Sequence, residues 1–175
     1  HRRLAYIAGP TRNILERERR RGFVEALTAA GIDRESASYF PGDFTFRSGA
    51  AAGDELARMP DATRPTGVFA ANDEMAIGLI KHVRTHRLVV PRDLSVVGFD
   101  AIDFSDYCEP ALTTVRQPRA AIGATAADLL IEAMRDRTAS HRGLTRLPAE
   151  LIVRGTTADP DGNVTMEREA LTLEA

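Results

Sequence analysis

Short apolar runs alternating with helical stretches are what most constrain this chain. Residues 4–8 (Leu-Ala-Tyr-Ile-Ala), 66–71 (Thr-Gly-Val-Phe-Ala-Ala) and 94–99 (Leu-Ser-Val-Val-Gly-Phe) read as buried strands, and 37–40 as a shorter, weaker one. Between them the spacing predicts helices over 13–30, 47–59 and 72–86. In the first, Leu15, Arg19, Phe23, Ala26, Leu27 and Ala30 share one stripe, and Gly31 is a stop signal. Strand–helix–strand at this pitch implies parallel strands with right-handed crossovers. Strands apolar throughout fit a sheet covered on both faces. The expected fold class is α/β, a doubly wound parallel sheet.

The last third changes character. Residues 112–117 are β-prone but carry polar side chains, and Pro118 ends them. Residues 119–136 predict an amphipathic helix with Ile122, Ala126, Leu129, Leu130 and Ala133 on its apolar face. A polar loop is expected over 138–143, a final strand over 147–153 and a mobile tail over 159–175.

Composition narrows the function classes. Lys+Arg total 23 and Asp+Glu 25, a net charge of −2, so no global basic field draws the chain to nucleic acid or an acidic membrane. The single cysteine, Cys108, excludes an internal disulfide and a multi-cysteine metal site. No apolar run approaches the roughly 20 residues of a membrane span, and no signal-type segment opens the chain. A cytoplasmic protein without a membrane partner is expected.

In open parallel sheets, ligands bind beyond the carboxyl ends of the strands. The residues just past each strand are therefore informative. The first strand leads into Thr11, Arg12 and Asn13, the second into Asp43, Phe44 and Thr45, the third into Asn72 and Asp73, the fourth into Asp100 and Asp103. Amides, carboxylates and an aromatic gather at one edge. Such an inventory suits a neutral polyhydroxyl ligand, which donates to carboxylates, accepts from arginine and amide nitrogens and stacks on a ring. The alternative for Asn72 and Asp73 is helix capping, and for Asp43 a turn. Arg19 resists a bland reading, because an unpaired buried guanidinium is expensive; Asp100 is a candidate partner.

Catalytic chemistry finds little support. His82 and His86 are four apart on a helix, but no third ligand is apparent, so no metal site is assigned. Cys108 has no nearby basic partner and reads as inert. Asp100, Asp103 and Asp106 lack the calcium-loop pattern, and Gly9-Pro10-Thr11 is no phosphate loop. No cofactor is expected. The 72–86 helix is apolar around much of its circumference, which fits either a like subunit or burial under the loop near Phe104 and Tyr107.

Several stretches together resemble the C-terminal part of LacI/GalR-type transcription regulators. They are residues 1–9 (His-Arg-Arg-Leu-Ala-Tyr-Ile-Ala-Gly), 21–27 (Arg-Gly-Phe-Val-Glu-Ala-Leu), 68–78 (Val-Phe-Ala-Ala-Asn-Asp-Glu-Met-Ala-Ile-Gly), 90–100 (Val-Pro-Arg-Asp-Leu-Ser-Val-Val-Gly-Phe-Asp), 110–118 (Pro-Ala-Leu-Thr-Thr-Val-Arg-Gln-Pro) and 147–157 (Leu-Pro-Ala-Glu-Leu-Ile-Val-Arg-Gly-Thr-Thr). The resemblance implies a periplasmic-binding-protein-like (type I) fold of two subdomains around an effector cleft, here truncated to mainly the C-terminal subdomain. Residues 1–111 would form that subdomain. Residues 112–146 would be a crossover and a helix belonging to the other subdomain, whose apolar face then lacks much of its partner. Residues 147–158 would return, and 159–175 would form the tail. The resemblance puts effector contacts on Asn13, Arg19, Phe44, Asn72 and Asp100, and dimer contacts on Ala76, Ile77, Ile80 and Cys108. Where many relatives have a second acidic residue, this chain has Ala101. The implied partners are a small-molecule effector (sugar, polyol or nucleoside), a second copy, and operator DNA through an N-terminal helix-turn-helix absent from this chain. The implied function is effector sensing that controls operator binding allosterically. A sugar-binding transport component shares the fold and is the alternative.

Overall fold

Five parallel strands and two antiparallel ones make up the sheet in the computed structural model, which describes residues 1–135, 143–160 and 171–173. In chain order the elements are β1 (Leu4–Ile7), α1 (Ile14–Ala29), β2 (Ser38–Phe40), α2 (Phe46–Arg58), β3 (Gly67–Ala70), α3 (Asp73–Val83), β4 (Ser95–Phe99), α4 (Phe104–Tyr107), β5 (Thr113–Arg116), α5 (Arg119–Arg135), β6 (Ala149–Ile152) and β7 (Leu171–Leu173). The sheet order is β2-β1-β3-β4-β5-β6-β7. β1 sits between β2 and β3, with Tyr6 opposite Tyr39 on one side and Phe69 on the other. β5 continues the parallel set beside β4, and β6 and β7 run antiparallel to their neighbours.

Side-chain alternation sorts the two faces. Tyr6, Tyr39 and Phe69 meet Phe23 of α1, with the Tyr6 and Phe23 rings stacked 5.2 Å apart between centroids. On the other face α2 and α3 pack together over the sheet. Leu56, Met75, Leu79 and Val83 are fully buried there, each worth about 1.5–3 kcal/mol of apolar transfer. Glycines set the helix separation. A Cβ on Gly49 would strike the backbone of Met75, and one on Gly78 the backbone of Phe46. This close seat absorbs much of the apolar surplus of α3. Eight of its eleven residues are buried, Ala76, Ile77 and Ile80 among them.

The stripe expected on α1 is rotated. Leu15 is 55% exposed, whereas Glu16 is buried. Its carboxylate accepts from the Tyr6 hydroxyl at 2.9 Å and the Gly9 amide at 2.7 Å. Two buried donors at the top of β1 need an acceptor, so a charged residue faces inward and the leucine is turned out. Burial and the facing carboxylate push the Tyr6 phenol well above its usual range.

The tail also departs from expectation: Leu171–Leu173 pairs with β6 as a strand. The rest of it beyond residue 160, and the loop expected over 138–143 apart from Gly143, lie outside the described residues. Residues 154–158 fold back under the main sheet. Thr156 accepts from the Val96 and Thr113 amides and donates to the Val96 carbonyl, and the His1 ring meets Thr66, Ser95 and the Ala158 carbonyl.

Candidate functional site

Three helices begin at the carboxyl edge of the sheet, and each is capped by a side chain from the preceding loop. Asn13 accepts from the Leu15 amide, Thr45 from Ser48 and Asn72 from Met75. Capping and site formation are therefore not exclusive. Asn72 also uses its amide nitrogen, donating to the Phe44 carbonyl at 2.9 Å. It ties the loop after β2 to the end of β3.

Arg19 is the centre of this edge. Its side chain, 9% exposed, leans from α1 across the ends of two strands. Nη1 donates to the Ala71 carbonyl at 2.5 Å and Nη2 to Asp100 Oδ1 at 2.7 Å. The guanidinium lies over the Phe99 ring, 4.1 Å from its centroid, with the Phe44 ring 6.0 Å away. The ion pair expected from sequence is thus present, together with two aromatic walls, of which Phe99 went unread as a site residue.

Asp100 joins a further element. Gln117, in the segment after β5, donates to the same Oδ1 at 2.8 Å. Arg19 and Gln117 thus converge on one oxygen of the carboxylate. Burial pushes the Asp100 carboxyl up; the pull of Arg19 and Gln117 opposes this, and the nearby Asp73 charge adds to it. The backbone is strained at this rim. Phe44, Asp100 and Ala101 have φ of 69°, 109° and 49°, values that side-chain-bearing residues seldom adopt. Ala101, buried, has its amide held by Thr114 Oγ1 at 3.3 Å.

Asp73 lies beneath and is fully buried. It accepts from Thr114 Oγ1 at 2.5 Å, Ser105 Oγ at 2.6 Å and the Ile102 amide at 2.9 Å. It is a structural hub that fixes the loop after β4, and so Asp100, rather than a ligand contact. Asp43 serves its turn, as expected. Hydrogen bonds from Thr45 and Ser48 pull its carboxyl down to about 2.

The sequence-selected residues therefore separate. Arg19, Phe44, Asn72 and Asp100 are brought together by direct contact, whereas Asn13 is engaged as the cap of α1. Gln117 was missed. Its only sequence signal was its place just before Pro118, in a segment read as a crossover.

Ala76 is fully buried, and Ile77, Ile80 and Cys108 line an open hollow of about 290 Å³ with Lys81, Arg84, Phe104 and Glu109. Phe104 is the exposed apolar group of that lining, and Tyr107, in the same helix α4, is 83% exposed. Among the described residues, no helix is long and apolar enough to cross a membrane.

Comparison with known proteins places this geometry. Residues 1–157 match the model of the periplasmic binding protein-like domain. The HTH-type transcriptional repressor CytR of Escherichia coli (strain K12) is 40% identical over 157 residues, which are 90% of this chain and 45% of the repressor. The chain thus spans about half the length of the curated relatives it matches. Among solved structures, the transcriptional regulator CelR in its cellobiose complex is 40% identical with a TM-score of 0.77, covering 89% of this chain and 47% of CelR. The Lac repressor dimer bound to operator and the anti-inducer ONPF is 32% identical with a TM-score of 0.77, covering 90% of this chain and 53% of the repressor.

Proposed function

Since the chain belongs to the periplasmic binding protein-like family, as the effector-binding region of a LacI/GalR-type regulator, we propose that it forms one wall of an effector cleft and transmits ligand occupancy to operator binding. The single observation that carries this is the Arg19–Asp100 pair, 2.7 Å apart, set between Phe44 and Phe99 and touched by Gln117. A small polyhydroxyl or nucleoside-like molecule meets there a carboxylate oxygen, a guanidinium and two ring faces. The cellobiose seen with CelR supports the sugar class.

Gln117 supplies the transmission. It belongs to the segment that leads into α5, yet it holds the same carboxylate oxygen as Arg19. A ligand that engages Asp100 competes for or reinforces that bond, and so favours one placement of the crossover over another. Differential affinity of the ligand for the two placements sets the size of the response. Operator contact falls to the part of the relatives' length that this chain does not span. A second copy seats on the hollow lined by Ile77, Ile80, Phe104 and Cys108, with Ala76 buried behind it. A regulator of this kind works in the cytoplasm, beside the DNA it controls. The matched relatives are repressors, which favours regulation over transport.

A thermal-shift screen of the complete protein against sugars, polyols and nucleosides tests the reading. A true effector at 100 times its Kd adds about 2.7 kcal/mol of stability, and the same compound changes operator affinity in a mobility-shift assay. A compound that raises the melting temperature through this site without changing operator affinity would refute the regulatory step.

A further inference from the structure

The two histidines left without a third ligand in the sequence acquire one from a neighbouring helix. His82 lies at the end of α3, and His86 one turn on. Asp54, from α2, presents Oδ1 at 2.9 Å from Nε2 of each ring. The three donor atoms all lie within 4.8 Å of one another. We propose that Asp54, His82 and His86 form a binding site for a divalent transition metal ion of the zinc class, which clamps α2 to α3.

The donor set selects the ion. Two imidazole nitrogens and one carboxylate oxygen suit zinc and its transition-metal neighbours, whereas magnesium and calcium prefer oxygen throughout. With bonds of about 2.0–2.2 Å, donors around a tetrahedral ion stand about 3.4 Å apart. The 2.9 Å separations between Asp54 and each imidazole have to open by about half an ångström, and the two imidazole nitrogens, within 4.8 Å of each other, have to settle at the same spacing, both by turns of side chains that are each about one-third exposed. That exposure also gives the ion a path in, and solvent completes its coordination.

The scaffold is rigid where it matters. Gly53 brings α2 against α3, and a Cβ there would lie 3.3 Å from the His82 Cβ. The Thr85 hydroxyl donates to the His82 carbonyl at 2.7 Å, fixing the turn that carries His86. Arg58 Nη2 lies 3.6 Å from the same Asp54 oxygen, but its side chain is 72% exposed and long enough to swing away. The site sits at the opposite end of α3 from Asn72, so it is separate from the candidate cleft. It is also on the α2 side of the helix, away from the hollow at Ile77 and Ile80.

The test is calorimetric titration of zinc chloride into the complete protein, purified without an affinity tag and stripped with chelator, with cobalt(II) absorption as a second readout. The expected result is saturable uptake and a higher Tm with zinc, with no such response to magnesium. Asp54→Asn, His82→Ala and His86→Gln should each weaken that uptake by at least the tenfold or so that loss of an outer-shell partner costs. His86→Gln, on the exposed turn, guards against a folding artefact, with circular dichroism as the check. Absence of saturable zinc uptake, an equal response to magnesium, or undiminished uptake in any of the three variants would overturn the site.

Discussion

α3 and α5 are both rich in apolar residues, yet they meet opposite fates. α3 buries eight of its eleven residues between α2, the sheet and the loop at 102–108. α5 buries none, and Leu130, Ile131 and Met134 stand open to solvent. Local sequence does not explain the difference. Each helix follows its strand after two residues, but α3 is seated on α2 through Gly49 and Gly78 and tied to the loop after β4 by Asp73, whereas no residue of α5 is buried. Up to β5 the chain completes its own core. Beyond it, apolar surface is presented without a partner among the described residues.

The largest effect is expected at Asp73, the buried hub that opens α3. Asp73→Ala strands the Ser105 and Thr114 hydroxyls and the Ile102 amide, and should cost about 3–5 kcal/mol in urea unfolding. A loss under about 1 kcal/mol would mean that the loop after β4 is held by something else. Gly78→Val, which drives side-chain atoms into the Phe46 backbone, should cost about 2–3 kcal/mol by the same measurement.

Asp100 should show itself in the pH dependence. Its carboxyl is raised by burial, so the native state holds the proton more tightly than the unfolded chain does. Its contribution is fully present below the unfolded value of about 4 and is lost as pH rises through the higher native one. Asp100→Asn lacks this titration. Its stability relative to wild type should therefore climb as pH rises from about 4 and then level, and a flat difference would show that Arg19 and Gln117 fully offset the burial. The smallest effect belongs to α5. Leu130→Ala should change the stability of this chain by no more than about 0.5 kcal/mol. The proposed two-subdomain cleft makes a contrasting prediction: in the complete protein the same change should cost about 2 kcal/mol, and an equally small loss there would show that nothing covers that face.

The alternation of apolar runs and helices was enough to read the parallel strands, and the rule about strand ends led to Arg19 and Asp100. Arg19 was legible because a guanidinium on an apolar stripe must find an anion. Glu16 was not, because the donors that draw it inward, Tyr6 and Gly9, become neighbours only once β1 and α1 are packed. Gln117 and Asp54 escaped for the same reason. Each acts through a partner 17 to 32 residues away, at a distance no local period encodes. The strand at Leu171–Leu173 lies in a stretch where scattered charges and the Asp-Pro-Asp-Gly sequence outweigh a short run of β-prone residues.

Calorimetric titration of the complete protein with its best-stabilising sugar or nucleoside, for wild type and Asp100→Ala, goes most directly to the role of the Arg19–Asp100 rim. Affinity should fall by at least about 10-fold, the equivalent of one hydrogen bond to a charged group, while the ligand-free Tm stays within a few degrees. Equal affinity in the two proteins would place the ligand elsewhere and leave the ion pair a purely structural contact.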